Sequence, residues 1–393
     1  MRIRPQLRHA CAAVAGALVV GLVMPAQSFA QTIVETWATT YNGNPDLLAS
    51  RATLRQTDET LSQAVANWRP RISLTAEYNK IQADSFSRLR NPTFLELNGK
   101  TSLLTVTQPL FRGGKTVADT GAARANIQAQ RALLADAEQT VLLNAVTSYA
   151  DLLRDRGIVE VRRNNVRVLT EQLTATRERF RVGELTITDV AQAEARREQS
   201  NADLVLAEAN VRIDEAAYQR TVGQRPGPLA DLPLIGQIPG SEEENIALAM
   251  DAGPRAVSAQ HRIAAANFGV NSVVGDLLPQ INLVGFAQSN ADVSTPTDQF
   301  YNYGFRVQAT VPIFQNGTEW SRIRSAKELV GQRRNELDSA RRLAAETVIR
   351  AWRNLESSRS RVVSFSAQVK ANETALNGVR RKPWSARAPR STC

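Results

Sequence analysis

An internal repeat constrains the fold of this chain more than any other feature of the sequence. Pro45 and Pro70 match Pro254 and Pro279 at one constant offset of 209 positions. Further along, the segment LLTVTQPLFRGG matches RVQATVPIFQNG at an offset of 203 positions. Because repeated segments indicate a repeated structural unit, we expect two copies of one unit.

Each copy contains two segments with the alternation of a β-strand. In the first segment, apolar Ile72, Leu74 and Tyr78 alternate with polar residues. This period of two is typical of a strand with one apolar face and one polar face. The predicted strands are 71–80, 101–110, 280–289 and 302–312. Polar loops near 82–98 and 290–300 are expected to join them in pairs.

Helices are predicted on both sides of each strand pair. Segments at about 46–67 and 255–275 precede the strands, and each should end just before a proline. After the first strand pair, residues 116–182 contain no proline and only two glycines, and good helix formers dominate. At 1.5 Å per residue, this segment would extend about 100 Å as one helix. The second copy has a corresponding predicted helix at 318–378.

A second helix, from about 188 to 222, is predicted to return along the first and to complete a helical hairpin at 116–222. The segment VGEL forms the predicted turn, and the Thr and Asp of the following TITD are candidates to cap the return helix. Residues at successive intervals of four, three and four positions lie on one face of a helix, and they predict the face of the first helix that packs against the second. These residues are Leu169, Leu173, Thr176 and Phe180.

The first 30 residues have the features of a secretory signal peptide. Three arginines are followed by a fifteen-residue apolar run and by the small-residue site Ser28-Phe29-Ala30. We predict cleavage after Ala30. A membrane-spanning helix is the alternative, but such a helix needs about 20 apolar residues.

These elements define the domain organisation. The first repeat covers 31–222, a linker rich in Pro and Gly covers 223–243, and the second repeat covers 244–380. At an offset of 203, a second hairpin turn and return helix should follow Arg380. Residues 381–393 contain two prolines and match neither element. We therefore expect an incomplete second repeat, with a truncated second hairpin and an aberrant tail.

A frameshift would explain this tail. When 381–393 is back-translated with GC-rich synonymous codons and read from the third base, the product contains a Val-Gly pair and an Asp-Val pair. These pairs are spaced as in RFRVGELTITDV of the first repeat. The codons were chosen among synonyms, so the frameshift is a hypothesis that sequencing of the gene tests. A last helix without its return arm would expose apolar residues and impair assembly.

A nucleic-acid partner is not expected, although the formal net charge is +10. The first 30 residues carry three arginines and residues 381–393 carry four basic residues, and neither segment has an acidic residue. Residues 31–380 therefore carry a net charge of only +3. This excess is too small to indicate a nucleic-acid-binding surface.

The sequence also lacks the residues of common catalytic and metal sites. After Ala30 it has one histidine, His261, and one cysteine, Cys393. Zinc sites usually need several such ligands, and no GxSxG, HExxH, P-loop or dinucleotide-binding motif occurs. We expect no enzyme activity, no cofactor and no metal. A hydrolase that uses carboxylates alone has no sequence feature in its favour.

Taken together, these features resemble the TolC-like outer membrane efflux and type I secretion channels. The resemblance covers 31–380 and depends on the duplicated order of helices and strands, on QPLF with VPIF, and on RFRVGELTITDV at the hairpin turn. It implies an α+β membrane protein that forms a homotrimer, in which four strands per chain contribute to a β-barrel in outer-membrane lipid. The long helical hairpins would form an α-barrel tunnel in the periplasm.

The resemblance also implies a function and its site residues. Channels of this family export small molecules or, in type I secretion, proteins, and they work with a periplasmic adaptor and an inner-membrane transporter. Thr188 and Asp189 would belong to the periplasmic gate, although physical chemistry alone favours an ordinary helix cap for both. Val182, Gly183 and Leu185 would lie in the adaptor contact.

Four prolines mark the implied junctions between barrel and helices: Pro70, Pro109, Pro279 and Pro312. Four strands alone leave open edges, which agrees with a barrel that several chains share. A small soluble sheet packed on helices is the alternative for the strands. The alternative function is a periplasmic coiled-coil adaptor or scaffold protein, which would explain the hairpin but not the strands.

Overall fold

The computed structural model describes residues 30–87, 90–233, 240–293 and 297–381. Within these residues the chain is mostly helical and has one antiparallel sheet of four strands, as predicted. The helices are α1 (Ile33–Gly43), α2 (Pro45–Ala66), α3 (Lys115–Arg181), α4 (Ile187–Val222), α5 (Glu242–Ala252), α6 (Pro254–Gly275) and α7 (Thr318–Arg381). The strands are β1 (Arg71–Ser87), β2 (Arg90–Arg112), β3 (Gln280–Ala291) and β4 (Gln299–Thr310). The predicted signal peptide at 1–30 and the predicted tail at 381–393 lie outside the described residues, except for Ala30 and Arg381.

The residues group into two compact units. The hairpin unit contains the described residues up to Thr36, together with Tyr149–Arg220 and Gln224–Leu232. The sheet unit contains Trp37–Ser148, Thr221–Gly223 and the described residues from position 233 onward. None of the described helices combines the length and the apolar character that a membrane-spanning helix needs.

The sheet has the strand order β1-β2-β3-β4, and every neighbouring pair is antiparallel. A register shift interrupts the pairing of β2 with β3 between Pro109 and Phe111. This position suits proline, which lacks the N–H group that a regular ladder needs. For the same reason β4 ends at Thr310, two residues earlier than predicted, before Pro312.

The predicted polar loop at 82–98 is wrong. β1 continues to Ser87 and β2 begins at Arg90, and backbone pairing runs through this region from Gln82↔Glu96 to Ser85↔Thr93. Polar side chains do not prevent such pairing, because the backbone supplies the ladder and opposite charges stabilise neighbouring strands. Lys80 and Glu96 form an ion pair of 2.8 Å across β1 and β2. The other connection, between Ala291 and Gln299, lies within the predicted loop range.

In the sheet unit, α6 runs antiparallel to the first part of α3. Lys115 contacts Asp276, Asp119 contacts Ser272, and Asp136 contacts Arg255. Farther along the chain, α7 packs against α5 and α6. Of these contacts, the Lys115–Asp276 pair lies close in sequence to the end of β2 and the start of β3, so it joins the two helices beside the strands.

Two short helices, α1 and α5, do not appear among the sequence predictions. α5 begins with a capping box, in which the Ser241 side chain accepts from the N–H of Glu244 and the Glu244 carboxylate accepts from the N–H of Ser241. This Ser-x-x-Glu pattern is readable from sequence, but it lies at the end of the predicted linker. α1 and α2 are separated at Asn44, whose side chain accepts from the N–H groups of Asp46 and Leu47 and so caps α2.

Candidate functional site

The turn of the helical hairpin, at 182–189, contains every residue that the sequence assigns to the gate and to the adaptor contact. α3 ends with a Schellman motif, in which the N–H of Glu184 donates to Arg179 O and the N–H of Gly183 donates to Phe180 O, both at 2.9 Å. Gly183 has a φ of 81°, which only glycine adopts without strain. The sequence VGEL therefore forms the turn for a specific backbone reason.

The return helix α4 begins with a reciprocal cap between Thr186 and Asp189. The Asp189 carboxylate accepts from the N–H and from the hydroxyl of Thr186, both at 2.8 Å. The N–H of Asp189 in turn donates to the Thr186 hydroxyl at 3.3 Å. Hydrogen bonds from the Thr186 backbone and then from its hydroxyl lower the pKa of Asp189. Asp189 thus acts as a helix cap in the isolated chain, and its capping partner is Thr186.

The other predicted residues of the turn are mainly exposed. No hydrogen bond joins the Thr188 side chain to another described residue, and Thr188 faces solvent. Val182 is 65% exposed, and Ile187, which the sequence analysis did not select, is exposed to a similar extent. Leu185 is half-buried. The turn therefore presents apolar side chains and one threonine hydroxyl that make no polar contact within the described chain.

Ion pairs and one buried side chain hold the two arms of the hairpin together. From the turn outward, the pairs Arg177–Glu194, Arg163–Glu208 and Arg156–Glu215 join α3 to α4 at 3.0 to 3.1 Å. On the predicted packed face, Leu173 is 2% exposed, Leu169 and Thr176 are half-buried, and Phe180 is 41% exposed. The packed face is therefore buried between the arms at Leu173 and partly exposed to solvent near the turn.

Sequence reasoning missed a pair of carboxyl groups between the arms. Asp155 on α3 is buried, and one carboxylate oxygen of Asp214 on α4 is buried without a hydrogen-bond donor. Burial raises the pKa of Asp214, and the charge of Asp155 raises it further. Arg154 donates to Asp155 at 2.7 Å and offsets part of this effect. Pairs of this kind carry no sequence motif, because the two residues are far apart in the chain.

A second missed cluster surrounds Gln31, the first residue after the predicted cleavage site. The hydroxyl of Tyr149 lies 2.8 Å from Gln31 O and 2.5 Å from Ala230 O. Tyr149 and Tyr218 are both fully buried. The sequence contains these two tyrosines within predicted helices, but it does not identify the residues that they contact.

The four predicted junction prolines lie in the sheet unit, at or near strand ends. Pro70 and Pro279 immediately precede β1 and β3, Pro109 lies near the end of β2, and Pro312 follows β4. Within the described residues, no group of His, Cys, Asp and Glu side chains has an arrangement that could hold a metal ion. His261 is a partly exposed residue of α6.

Comparison with known proteins decides the family. A family model described as outer membrane efflux protein matches residues 39–224 and 248–382. The chain belongs to the outer membrane efflux protein family. This membership confirms the predicted resemblance, the location in the outer membrane and the class of export channel. The adaptor or scaffold alternative gains no support.

Individual relatives agree with this assignment. The outer membrane efflux protein BepC of Brucella suis is 33% identical over 368 residues, which span 93% of this chain and 79% of BepC. The outer membrane protein TolC of Vibrio cholerae is 23% identical over 88% of this chain and 80% of its own length. The crystal structures of CusC share the fold, with a TM-score of 0.72 at 15% identity over 88% of this chain and 81% of CusC.

Proposed function

We propose that this efflux family member forms the outer-membrane channel of an export system as a homotrimer, in which each chain contributes four strands to one closed barrel. One observation carries the proposal: the sheet is open, with β1 and β4 as edges, and both edge strands expose apolar side chains. In β4 these residues occupy alternate positions and share one face: Tyr301, Tyr303, Phe305 and Val307.

Closure by several chains follows from the physics of the membrane. Within lipid, every backbone N–H and C=O group needs a partner, so an open strand edge is not stable there. Single-chain outer-membrane barrels have at least about 8 strands. Four strands per chain therefore require the edge of β1 to pair with the edge of β4 from another copy. Apolar side chains on one face of β4 suit contact with lipid, and polar residues between them suit the interior.

Engineered cysteines test this pairing. In one chain β1 and β4 are separated by three strand spacings, or about 14 Å. This distance is too large for a disulfide, whose Cα atoms lie at most about 7 Å apart. In a Cys393→Ser background, Leu74→Cys is combined in turn with a cysteine at Tyr301, Tyr303, Phe305 or Val307. At least one pair should produce oxidised species in outer membranes that end at a covalent trimer.

The matched control combines Leu74→Cys with Leu104→Cys, because these two residues are direct partners within one chain. This pair should oxidise without any change in oligomer size. If none of the four β1–β4 pairs forms a disulfide between chains, or if the products extend beyond three chains, the proposed trimer is wrong. Crosslinks that still end at a trimer but form in low yield, beside a control pair that oxidises fully, would agree with the impaired assembly that the sequence analysis predicts.

We propose further that Thr188 and Asp189 form part of the periplasmic gate, and that the exposed apolar turn docks the periplasmic adaptor. The exposed hydroxyl of Thr188 and the exposed side chain of Val182 support this assignment. The Asp189 cap complicates the test, because removal of the carboxylate disturbs α4 as well as the gate. Asp189→Glu keeps an acid at this position of a capping box, and Thr188→Val replaces the hydroxyl with a methyl group.

Conductance measurements in planar lipid bilayers distinguish a role of Thr188 in the gate from an effect on the start of α4. If Thr188 holds the entrance closed, Thr188→Val should raise the resting conductance, while the helix content stays unchanged. Ala193→Val, on the same helix outside the turn, is the control for an added β-branched side chain.

For the adaptor contact, Leu185→Asp should reduce crosslinking to the adaptor in cells without loss of the channel from the membrane. Unchanged conductance in Thr188→Val, or unchanged adaptor crosslinking in Leu185→Asp, would remove the respective assignment.

A further inference from the structure

Gln31 is bound at its backbone and side chain by a segment almost 200 residues away in sequence. Its N–H donates to Pro228 O at 2.8 Å, and its carbonyl accepts from the N–H of Ala230 at 3.0 Å. Its side-chain oxygen Oε1 accepts from the N–H of Gly227 at 3.2 Å. Both oxygen atoms of Gln31 therefore accept a hydrogen bond, and its backbone N–H donates one.

Two buried tyrosines, one on each of two helices, complete the set of hydrogen bonds around Gln31. The Tyr149 hydroxyl on α3 shares its proton between Gln31 O and Ala230 O. The Tyr218 hydroxyl on α4 lies 3.4 Å from Gln31 Oε1 and 3.1 Å from the hydroxyl of Thr36. We call this set of residues the Gln31 clamp: Gln31, Tyr149, Tyr218, Gly227, Pro228 and Ala230. All of them lie in the hairpin unit.

The chain leaves the clamp at the bond where cleavage is predicted. Ala30 is exposed, whereas Gln31 is partly buried. On the leader side of the Ala30–Gln31 bond the structure describes only Ala30, and the hydrogen bonds of the clamp begin at Gln31. This boundary is what a site for a processed chain end requires.

The charges near the clamp also suit a positive chain end. Glu35 accepts from the N–H of Thr32, which is adjacent to Gln31, at 3.1 Å. Asp231 follows Ala230 directly. Burial is the main cause of the raised pKa of Tyr149, and the negative charges of Asp231 and Glu35 add to it. Arg156 donates to Gly227 O at 2.8 Å, but Glu215 neutralises it at 3.1 Å.

We propose that the Gln31 clamp is a binding site for the free amino terminus that cleavage of the Ala30–Gln31 bond creates, and that binding keeps this glutamine from cyclising. The new α-ammonium would replace the amide N–H as donor to Pro228 O and form a stronger, charge-assisted hydrogen bond.

The chemistry that the clamp prevents is specific to an amino-terminal glutamine. In its neutral form, the α-amine attacks its own side-chain amide carbon and forms a five-membered lactam. The C–N bond of the side-chain amide breaks, and its nitrogen leaves as ammonia. The clamp holds the attacking nitrogen at Pro228 and the side-chain carbonyl at Gly227, so ring closure requires the clamp to open first.

Mass spectrometry of the unsubstituted protein tests the proposal. Protein extracted from outer membranes should begin at Gln31 with an open glutamine. During incubation at mildly alkaline pH, loss of ammonia should be at least about tenfold slower in detergent-folded protein than in guanidinium-unfolded protein, because the reaction requires local opening. A mature chain that begins at another residue, an already cyclised terminus, or equal rates in both states would each overturn the proposal.

Tyrosine variants then locate the effect. Tyr149→Phe and Tyr218→Phe each remove one hydroxyl of the clamp, and each should accelerate ammonia loss in the folded protein by about tenfold, given the usual cost of one buried hydrogen bond. Tyr41→Phe is the matched control, because the Tyr41 hydroxyl donates to Glu138 in an exposed hydrogen bond of the sheet unit. The same acceleration in all three variants, or none in the first two, would contradict the clamp.

Discussion

Lys115 Nζ lies 2.7 Å from Asp276 Oδ1 and so joins the first residue of α3 to the residue that caps the end of α6. Both side chains are partly buried, so this ion pair is screened less than one on the open surface. Two glycines approach each other at the same point, since a Cβ atom added to Gly113 or to Gly275 would overlap the carbonyl of the other. The sheet is therefore connected to its helices through a junction that has no space for side chains.

The close approach at this junction predicts that Gly275→Ala destabilises the protein. The added Cβ would lie 2.7 Å from Gly113 O, and backbone atoms cannot move away easily. We expect a loss of about 1–3 kcal/mol in the free energy of unfolding, as for other overpacked sites. Gly269→Ala, on the same helix with no atom near its added Cβ, should instead be neutral or stabilise by up to about 1 kcal/mol. Guanidinium unfolding in detergent, followed by circular dichroism, measures both variants, and equal midpoints would refute the argument.

The packed face of the hairpin predicts a large effect at Leu173 and a small one at Phe180. Leu173 is almost completely buried between the arms, so Leu173→Ala should cost about 2–5 kcal/mol through lost burial and a residual cavity. Phe180 has the same spacing along α3 but remains 41% exposed, and Phe180→Ala should cost clearly less in the isolated chain. Hydrogen exchange of the hairpin amides reports both changes. A larger effect at Phe180 would show that another surface covers it in the assembled protein.

The Thr186–Asp189 cap predicts a pH dependence for the turn. Because hydrogen bonds from Thr186 lower the pKa of Asp189, the folded turn binds a proton at Asp189 less readily than the unfolded chain does. The stabilisation is therefore present above the unfolded-state pKa and is lost as the pH falls through the folded-state pKa. Amide protection factors at 184–190 should decrease in this acidic range. Asp189→Ala should abolish the decrease, whereas Thr188→Ala should retain it.

Several features of the fold were predictable from local sequence patterns. The alternation at Ile72 and Leu74 identifies a strand without reference to distant residues, and the absence of proline in 116–182 identifies α3. Gly183 identifies the turn because the required φ is a local property. The extension of β1 and β2 through 82–98 was not predictable in this way, because polar residues there pair through the backbone.

The remaining contacts depend on residues that are distant in sequence. Tyr149 on α3 bonds to both Gln31 and Ala230, and Tyr218 on α4 bonds to Gln31. No sequence motif indicates that these residues are in contact. The same holds for Asp155 and Asp214. The roles of Thr188 and Asp189 in a gate remain predictions, since a gate requires partners from other chains or repeats, whereas the cap of Asp189 requires only Thr186.

The Asp155–Asp214 pair predicts the opposite pH dependence within the hairpin. Burial and the charge of Asp155 raise the pKa of Asp214, with Asp151 adding to the effect and Arg154 opposing it. The folded state therefore binds a proton at Asp214 more readily than the unfolded chain does. This contribution to stability is present below the unfolded-state pKa and decreases as the pH rises through the folded-state pKa.

Asp214→Asn tests this sign, because an amide can donate to Asp155 and carries no charge that ionises. We expect the variant to be as stable as the parent at about pH 4 and more stable at about pH 8, with a difference that grows with pH. Asp203→Asn, on the same helix, is the control, since Asp203 pairs with Arg162 at 3.4 Å and should gain nothing at high pH. Guanidinium unfolding at both pH values measures the difference. A parent protein that is more stable than Asp214→Asn at about pH 8 would show that the carboxylate is compensated by a partner and that the proposed repulsion between Asp155 and Asp214 is wrong.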